Sequence, residues 1–235
     1  MLVIPVIDVR HGVAVRAEGG RRAAYRPLET PLAAGSDPLA VAQGLMALFK
    51  FPVLYVADLD GIEGRGRNAM LPGRLSEVLP GVALWIDDGA SPQETAKRLR
   101  RASPATPVVG TESIRSDDDL EALCALAPDR YVLSLDFSAD RFEGPPRLLR
   151  DAACWPDRII VMTLQRVGSA EGPDLTRLKD IIARAGQRSV FAAGGVRGCA
   201  DIEALANRGA ACVLVASALH AKKITAGDLE TIAGR

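Results

Sequence analysis

The chain is poor in the residues that most often announce a special chemistry. Its 235 residues include four cysteines and two histidines. The cysteines, at 124, 154, 199 and 212, form no C-x-x-C pair, which excludes a zinc ribbon or thioredoxin-type motif and is too sparse for a disulfide-stapled scaffold. A reducing cytoplasm is their simplest setting. Aromatic residues make up 4% of a chain that is 48% hydrophobic, so the core must be aliphatic. An excess of one charge is missing as well. The 29 basic and 29 acidic residues cancel, which removes the broad basic footprint of nucleic-acid binding and any strong attraction to an anionic membrane. No uncharged apolar run approaches the roughly 18 residues of a membrane span. The apolar opening MLVIPVIDVRHG has no basic segment before it and is interrupted by Asp8 and Arg10, so it reads as a strand and not as a signal peptide.

What is present is an alternation. Eight short, β-branched, nearly continuous apolar runs, as expected of strands buried on both faces, are predicted at 2–9, 53–58, 82–87, 107–110, 131–136, 158–163, 189–194 and 212–216. Helical stretches fill the gaps at 38–49, 68–79, 91–101, 117–127, 146–154, 174–185, 198–209 and 227–234. Their starts are chemically sensible. Ser91-Pro92 with Glu94 downstream offers an N-cap and a proline at the first helical position, and Asp117 to Asp119 place carboxylates beside unpaired helical N–H groups. Parallel strands need long crossovers to reach the same end of a sheet, and eight strand–helix units in 235 residues predict one (β/α)8 TIM barrel domain spanning 1–235.

An internal echo supports that count. LYVADLDG at 54–61 lies 105 residues before IIVMTLQR, WIDDGAS at 85–91 lies 106 before FAAGGVR, and VVGTESI at 108–114 lies about 105 before LVASAL. Two similar half-barrels would produce this spacing. Asp8 and Asp136 are 128 residues apart, so the extra length sits in the first strand–helix connection. Residues 17–37, rich in Gly, Arg, Ala and Pro, read either as a lid or as a floppy surface loop.

In such a barrel the active site lies at the C-terminal ends of the strands. Asp8 ends strand one and Asp136 ends strand five, which places two carboxylates on opposite walls of one pocket. That pair suits acid/base chemistry if burial and unequal neighbours keep one protonated and the other ionised; the plainer reading is that each caps a loop. Gly194-Gly195 follows a buried strand and leads into a helix, and Ala216-Ser217 begins a further short helix after strand eight. Together they fit a backbone phosphate cradle at strands seven and eight. Asp58 at the end of strand two can reach the pocket, while Asp60-Gly61 shapes a turn. His11 and His220 read as loop and packing residues, and Arg65 and Arg67 as solvated. No zinc cluster is visible, and adjacent Asp87 and Asp88 alone provide too few inward ligands for a divalent metal.

The segments IPVIDVRHGVAVR, LYVADLDG, VVGTESI, LSLDF, FAAGGVRGCADIEAL and LVASALHAKKIT resemble the histidine-biosynthesis ribotide isomerase and its cyclase relatives over nearly the whole chain. The resemblance implies a phosphate-binding (β/α)8 barrel with a half-barrel repeat. It also implies a cofactor-free Amadori rearrangement of an aminoaldose ribotide to an aminoketose, with Asp8 and Asp136 as base and acid. Thr163 matches a threonine at the end of strand six that hydrogen-bonds the reacting sugar, and Gly12 and Arg16 fit the family's opening hairpin. The sequence departs from the pattern in two places. The family's glycine-rich turn and arginine after strand three, which grip a second phosphate, are replaced by Trp85-Ile86-Asp87-Asp88-Gly89-Ala90-Ser91. After strand six, Thr163-Leu164-Gln165-Arg166-Val167-Gly168 lacks both of the family's aspartates.

One phosphate site and the opposed aspartates survive, so the expected partner is a small substrate with one phosphate, with an amine or cation beside Asp87 and Asp88. The substrate and phosphate contacts expected are Gly194, Gly195, Ala216, Ser217, Arg16, Asp58 and Asp88. Two further readings stay open: a lyase or condensing enzyme of one-carbon cofactor synthesis using the same phosphate site, and a non-enzymatic phosphate-ligand binder. A Schiff-base lyase is disfavoured because lysines 50, 97, 179, 222 and 223 fall on helices or loops. Monomer and homo-oligomer are both compatible with the sequence.

Overall fold

A computed structural model describes residues 1–169 and 171–234. Eight parallel strands follow one another around a closed ring: β1 (Leu2–Arg10), β2 (Val53–Asp58), β3 (Ala83–Asp87), β4 (Ala105–Gly110), β5 (Val132–Ser138), β6 (Arg158–Thr163), β7 (Ser189–Ala193) and β8 (Cys212–Val215). Closure is direct, because β8 pairs in parallel with β1 through Leu2↔Cys212 and Ile4↔Leu214. The chain is therefore an eight-stranded parallel barrel wrapped by helices, as the alternation predicts.

Strand alternation divides the core in two. Ile4, Tyr55, Trp85, Val108, Val132, Ile160, Phe191 and Leu214 form one buried cluster inside the barrel. A larger aliphatic cluster, including Val3, Ile7, Val56, Leu84, Val109, Leu133, Leu135, Val161 and Val213, fills the layer between strands and helices. Trp85 of β3 and Phe191 of β7, on opposite sides of the ring, stack with centroids 5.3 Å apart. They plug the interior, so the space above them is a pocket with a floor and the barrel is no channel.

The helices start where their sequences allow. Ser91 and Glu94 form a reciprocal capping box at Pro92–Leu99, and Asp174 caps Leu175–Ala185. Pro72 sits in the first turn of Leu71–Val78, where its missing N–H costs nothing, so that helix begins later than predicted. The 105-residue echo has a structural counterpart. A short helical turn follows each even-numbered strand: Leu59–Ile62 and Leu164–Arg166 start 105 residues apart, and Thr111–Ser113 and Ser217–His220 start 106 apart.

Two findings differ from the sequence reading. Residues 17–37 do not hang free. Arg26–Pro27 pairs antiparallel with Val13–Arg16, extending the hairpin that leaves β1, and Arg22–Ala24 forms a helical turn over the barrel mouth. Cys124 and Cys154 form a disulfide, with Cα atoms 4.5 Å apart. The ends of two helical segments bring these cysteines together across 30 residues, a proximity that spacing alone does not reveal. Among the described residues, no helix is long and apolar enough to cross a membrane.

Candidate active site

The strand ends open into a cavity of about 330 Å³. Three of the four odd-numbered strands deliver a carboxylate into it: Asp8 from β1, Asp87 from β3 and Asp136 from β5. The fourth, β7, delivers Ala193 followed by Gly194 and Gly195, with Ala216 and Ser217 beside them after β8. The strand registers account for this grouping. Asp8 lies opposite Ala57, Ala57 opposite Asp87, Asp136 opposite Met162, and Met162 opposite Ala193, so one inward-facing layer runs round the rim.

The glycine corner can be built only from glycine. Gly195 has φ +84°, and a Cβ there would stand 2.3 Å from the Gly172 carbonyl oxygen. The chain can thus bring bare backbone to the cavity wall where a side chain would both strain and collide. No side chain caps the first turn of Ser217–His220. This corner is uncharged in its side chains and suits an anion held by backbone N–H groups.

The carboxylate side has the opposite character. Asp136 accepts hydrogen bonds from Ser134 Oγ at 2.6 Å and from the Thr111 hydroxyl and Glu112 N–H at 3.4 Å. Burial holds its pKa well above the usual carboxylate range, and the negative charges of Glu112 and Asp87 add to that. Asp87, 7% exposed, accepts from the Tyr55 hydroxyl and from the Gly89 N–H, both at 3.2 Å. Burial, with Glu112 adding repulsion, raises its pKa to about 7. Asp8 is also pushed up by burial to about 7, with the Arg22 guanidinium pulling the other way. Asp136 and Asp87 face one spot: a Cβ on Gly110 would lie 3.0 Å from Asp136 Oδ2 and 3.5 Å from Asp87 Oδ2.

Strand alternation sends several expected site residues elsewhere. Thr163 follows inward-facing Met162, so its side chain lies behind the wall, where its hydroxyl accepts from Arg177 at 3.3 Å. Asp58 follows Ala57 and faces away. Its oxygens accept from the Asn68 backbone N–H at 2.6 Å and the Asn68 side-chain amide at 2.7 Å, which ties down the loop after β2. Asp88 follows Asp87 and pairs with Arg98 at 2.7 Å. Arg16 is exposed on the hairpin and borders a small neighbouring recess that also touches Asp8 and Ser217. The cavity therefore gathers Asp8, Asp136, Gly194, Gly195, Ala216 and Ser217, while Arg16, Asp58, Asp88 and Thr163 lie outside its lining. Arg65 pairs with Glu63 and Arg67 with Glu94, so neither loop arginine turns inward.

Several lining groups are not singled out by the sequence as members of this site, among them Arg22 and Tyr25 of the first loop, Tyr55, Glu112 and Glu143. Arg22 reaches from the β1 loop to the β4 turn and grips Glu112 with both Nη atoms, at 2.6 and 3.3 Å. Nothing local marks a pair 90 residues apart. Tyr55 was legible in principle, being the one inward polar side chain in an otherwise apolar β2. Among the described lining residues there is no lysine, and no group of three or more potential metal ligands is found among the described residues.

Comparison with known proteins gives a consistent result. The sequence model of the family described as histidine biosynthesis protein matches residues 2–225. An uncharacterized protein of Methanocaldococcus jannaschii is 28% identical over 99% of this chain and 97% of its own length. The 1-(5-phosphoribosyl)-5-((5-phosphoribosylamino)methylideneamino) imidazole-4-carboxamide isomerase of Halorhodospira halophila is 28% identical over 94% of this chain and 92% of its own. The enzyme of the same name from Nitratidesulfovibrio vulgaris is 30% identical over 87% of this chain and 84% of its own.

Proposed function

The chain belongs to the histidine biosynthesis protein family, and from that premise we propose that it is an isomerase acting by aspartate acid/base catalysis on a small sugar-derived metabolite that carries one phosphate. The observation that carries the reading is the placement of Asp8 and Asp136 at the ends of β1 and β5, facing one cavity whose β7–β8 corner is bare backbone. The phosphate sits against Gly194, Gly195 and Ser217 and fixes the sugar between the two carboxyls. Asp136, whose pKa burial raises well above the usual carboxylate range, is the acid: it donates to the ring oxygen of an aminoaldose and opens the ring. Asp8, near 7 and beside Arg22, is ionised in a large share of molecules at neutral pH and takes the proton from the adjacent carbon. Return of a proton yields the aminoketose. A base whose pKa lies near the working pH makes its proton transfer inexpensive.

The relatives named as isomerases carry two phosphoribosyl groups in the name of their substrate. Here the β3 rim presents Asp87 to the cavity in place of an anion grip, which supports a one-phosphate ligand. The test is exchange of carbon-bound hydrogen in D2O, followed by NMR on a panel of monophosphorylated glycosylamines. Asp8→Asn and Asp136→Asn should each slow exchange by about 10²-fold or more while leaving inorganic phosphate affinity within a few-fold of the parent. Undiminished exchange in Asp8→Asn would remove it from the chemistry, and absence of phosphate binding in the parent would remove the cradle.

A further inference from the structure

The two halves of the barrel can be compared within this one molecule. At an offset of about 106 residues, Asp87-Asp88-Gly89 after β3 corresponds to Ala193-Gly194-Gly195 after β7, and Thr111–Ser113 corresponds to the first turn of Ser217–His220. One rim faces the cavity with small side chains and backbone. Its counterpart faces the same cavity with the carboxylates of Asp87 and Glu112. A ligand spanning the pocket therefore meets an anion-binding corner at one end and an anionic wall at the other.

Within this wall Glu112 has an ion-pair partner and Asp87 has none among the described residues. The cationic side chain lining the cavity is Arg22, and both of its Nη atoms are engaged by Glu112. Asp87, although 93% buried, makes no ion pair among the described residues; its two hydrogen bonds come from the neutral donors Tyr55 and Gly89. Each carboxylate oxygen thus accepts one bond and has a second lone pair free for a ligand. A second phosphate at this rim would meet an uncompensated negative charge, whereas a protonated amine, or a nitrogen heterocycle presenting N–H groups, would supply the charge and the donors the site lacks.

We propose that the ligand of this cavity is a monophosphate whose far end carries a cationic or N–H-donating nitrogen group, and that Asp87 is the residue that selects it. The inference rests on the phosphate cradle proposed above and adds the chemistry of the opposite end. Because Asp87 Oδ2 and Asp136 Oδ2 both lie within 3.5 Å of one point beside Gly110 and both residues line the cavity, a nitrogen group on Asp87 is held next to the proton donor.

The test uses the full-length protein and simple probes. ω-Aminoalkyl phosphates of two to six methylenes, matched ω-hydroxyalkyl phosphates, matched alkyl bisphosphates and the free alkylamines are titrated calorimetrically, alone and against inorganic phosphate. We expect at least one aminoalkyl phosphate to bind ten-fold or more tighter than its hydroxy partner, and the bisphosphate to bind no tighter than the hydroxy compound. Asp87→Asn should erase the preference; Asp87→Glu, which keeps the charge, should retain part of it, and Asp88→Asn, altering the outward neighbour, should leave it intact. Equal binding of the amino and hydroxy compounds, or tighter binding of the bisphosphate, overturns the proposal even if all compete with phosphate. If phosphate competes with none of them, the cradle reading fails; Asp87-dependent binding of the free amines would then still uphold the nitrogen subsite, and its absence would overturn that too. The parent's ligand preference decides the matter even if a variant does not fold.

Discussion

Asp87 and Asp88 are adjacent and chemically identical, yet one faces a ligand cavity and the other a solvent-edge pair with Arg98. The difference is the two-residue repeat of a strand, which also turns Asp58 and Thr163 away while admitting Ala57 and Met162. A residue type at a strand end is thus only half of a site prediction; its parity relative to the barrel axis supplies the rest. Glycine at 195 is constrained differently, by φ +84° and by the Gly172 carbonyl that a Cβ would meet at 2.3 Å. Gly195→Ala should therefore cost about 1–3 kcal/mol of stability through strain and abolish the thermal stabilisation conferred by inorganic phosphate. Gly81→Ala is the matched control, since Gly81 has the same φ of +84° but nothing within 4 Å of its would-be Cβ. If both variants lose stability and only Gly195→Ala loses the phosphate response in a thermal-shift titration, the cradle is separated from the strain. Loss of neither response would place the anion elsewhere.

The eight strands and eight main helices were legible because long apolar runs buried on both faces are the mark of a parallel sheet covered by helices, and because Ser91-Pro92 and the carboxylates of Asp117 to Asp119 mark helix starts in the sequence. The loop over the mouth was not legible, since its order comes from distant partners. Arg22 meets Glu112, Arg10 donates to the Arg22 carbonyl at 2.6 Å, and Gly168 lies so close to the loop that a Cβ would stand 2.0 Å from the Ala17 carbonyl oxygen. This clasp between the β1 and β6 loops has a testable consequence. Gly168→Ala places a methyl group where the Ala17 backbone lies, at φ +70°, so the loop must lift. Trypsin cleavage after Arg21 or Arg22 should accelerate about ten-fold or more, with global unfolding shifted by only about 1–2 kcal/mol. An unchanged cleavage rate would mean that the Arg22–Glu112 pair alone holds the loop.

For the molecule as a whole, a formal charge of zero conceals an uneven distribution, with Asp8, Asp87, Asp136, Glu112 and Glu143 converging on one cavity and, among the described lining residues, Arg22 alone opposing them. The balance has a cost that depends on pH. Asp8 and Asp87 titrate near 7 in the folded chain against 3.8 as free groups, and Asp136 is raised further in the same direction. The native state therefore binds more protons than the unfolded chain above pH 4, and the stability associated with these groups is lost as pH rises through about 7. His220 acts in the opposite sense. Burial lowers its pKa to about 4 from 6.5, so its contribution is present above 6.5 and lost as pH falls. The one histidine, lowered from 6.5 to about 4, is outweighed by Asp8 and Asp87, each raised from 3.8 to about 7 and so worth about 4 kcal/mol, with Asp136 acting in the same direction. Urea unfolding should accordingly show lower stability at pH 8 than at pH 5.5. Asp87→Asn, which removes one of the buried charges without changing the side chain's shape, should raise stability at both pH values, and by about 2 kcal/mol more at pH 8 than at pH 5.5. A parent protein more stable at pH 8 would mean that the carboxylates are neutralised within the cavity, and with that the anionic wall on which ligand selection depends would be absent.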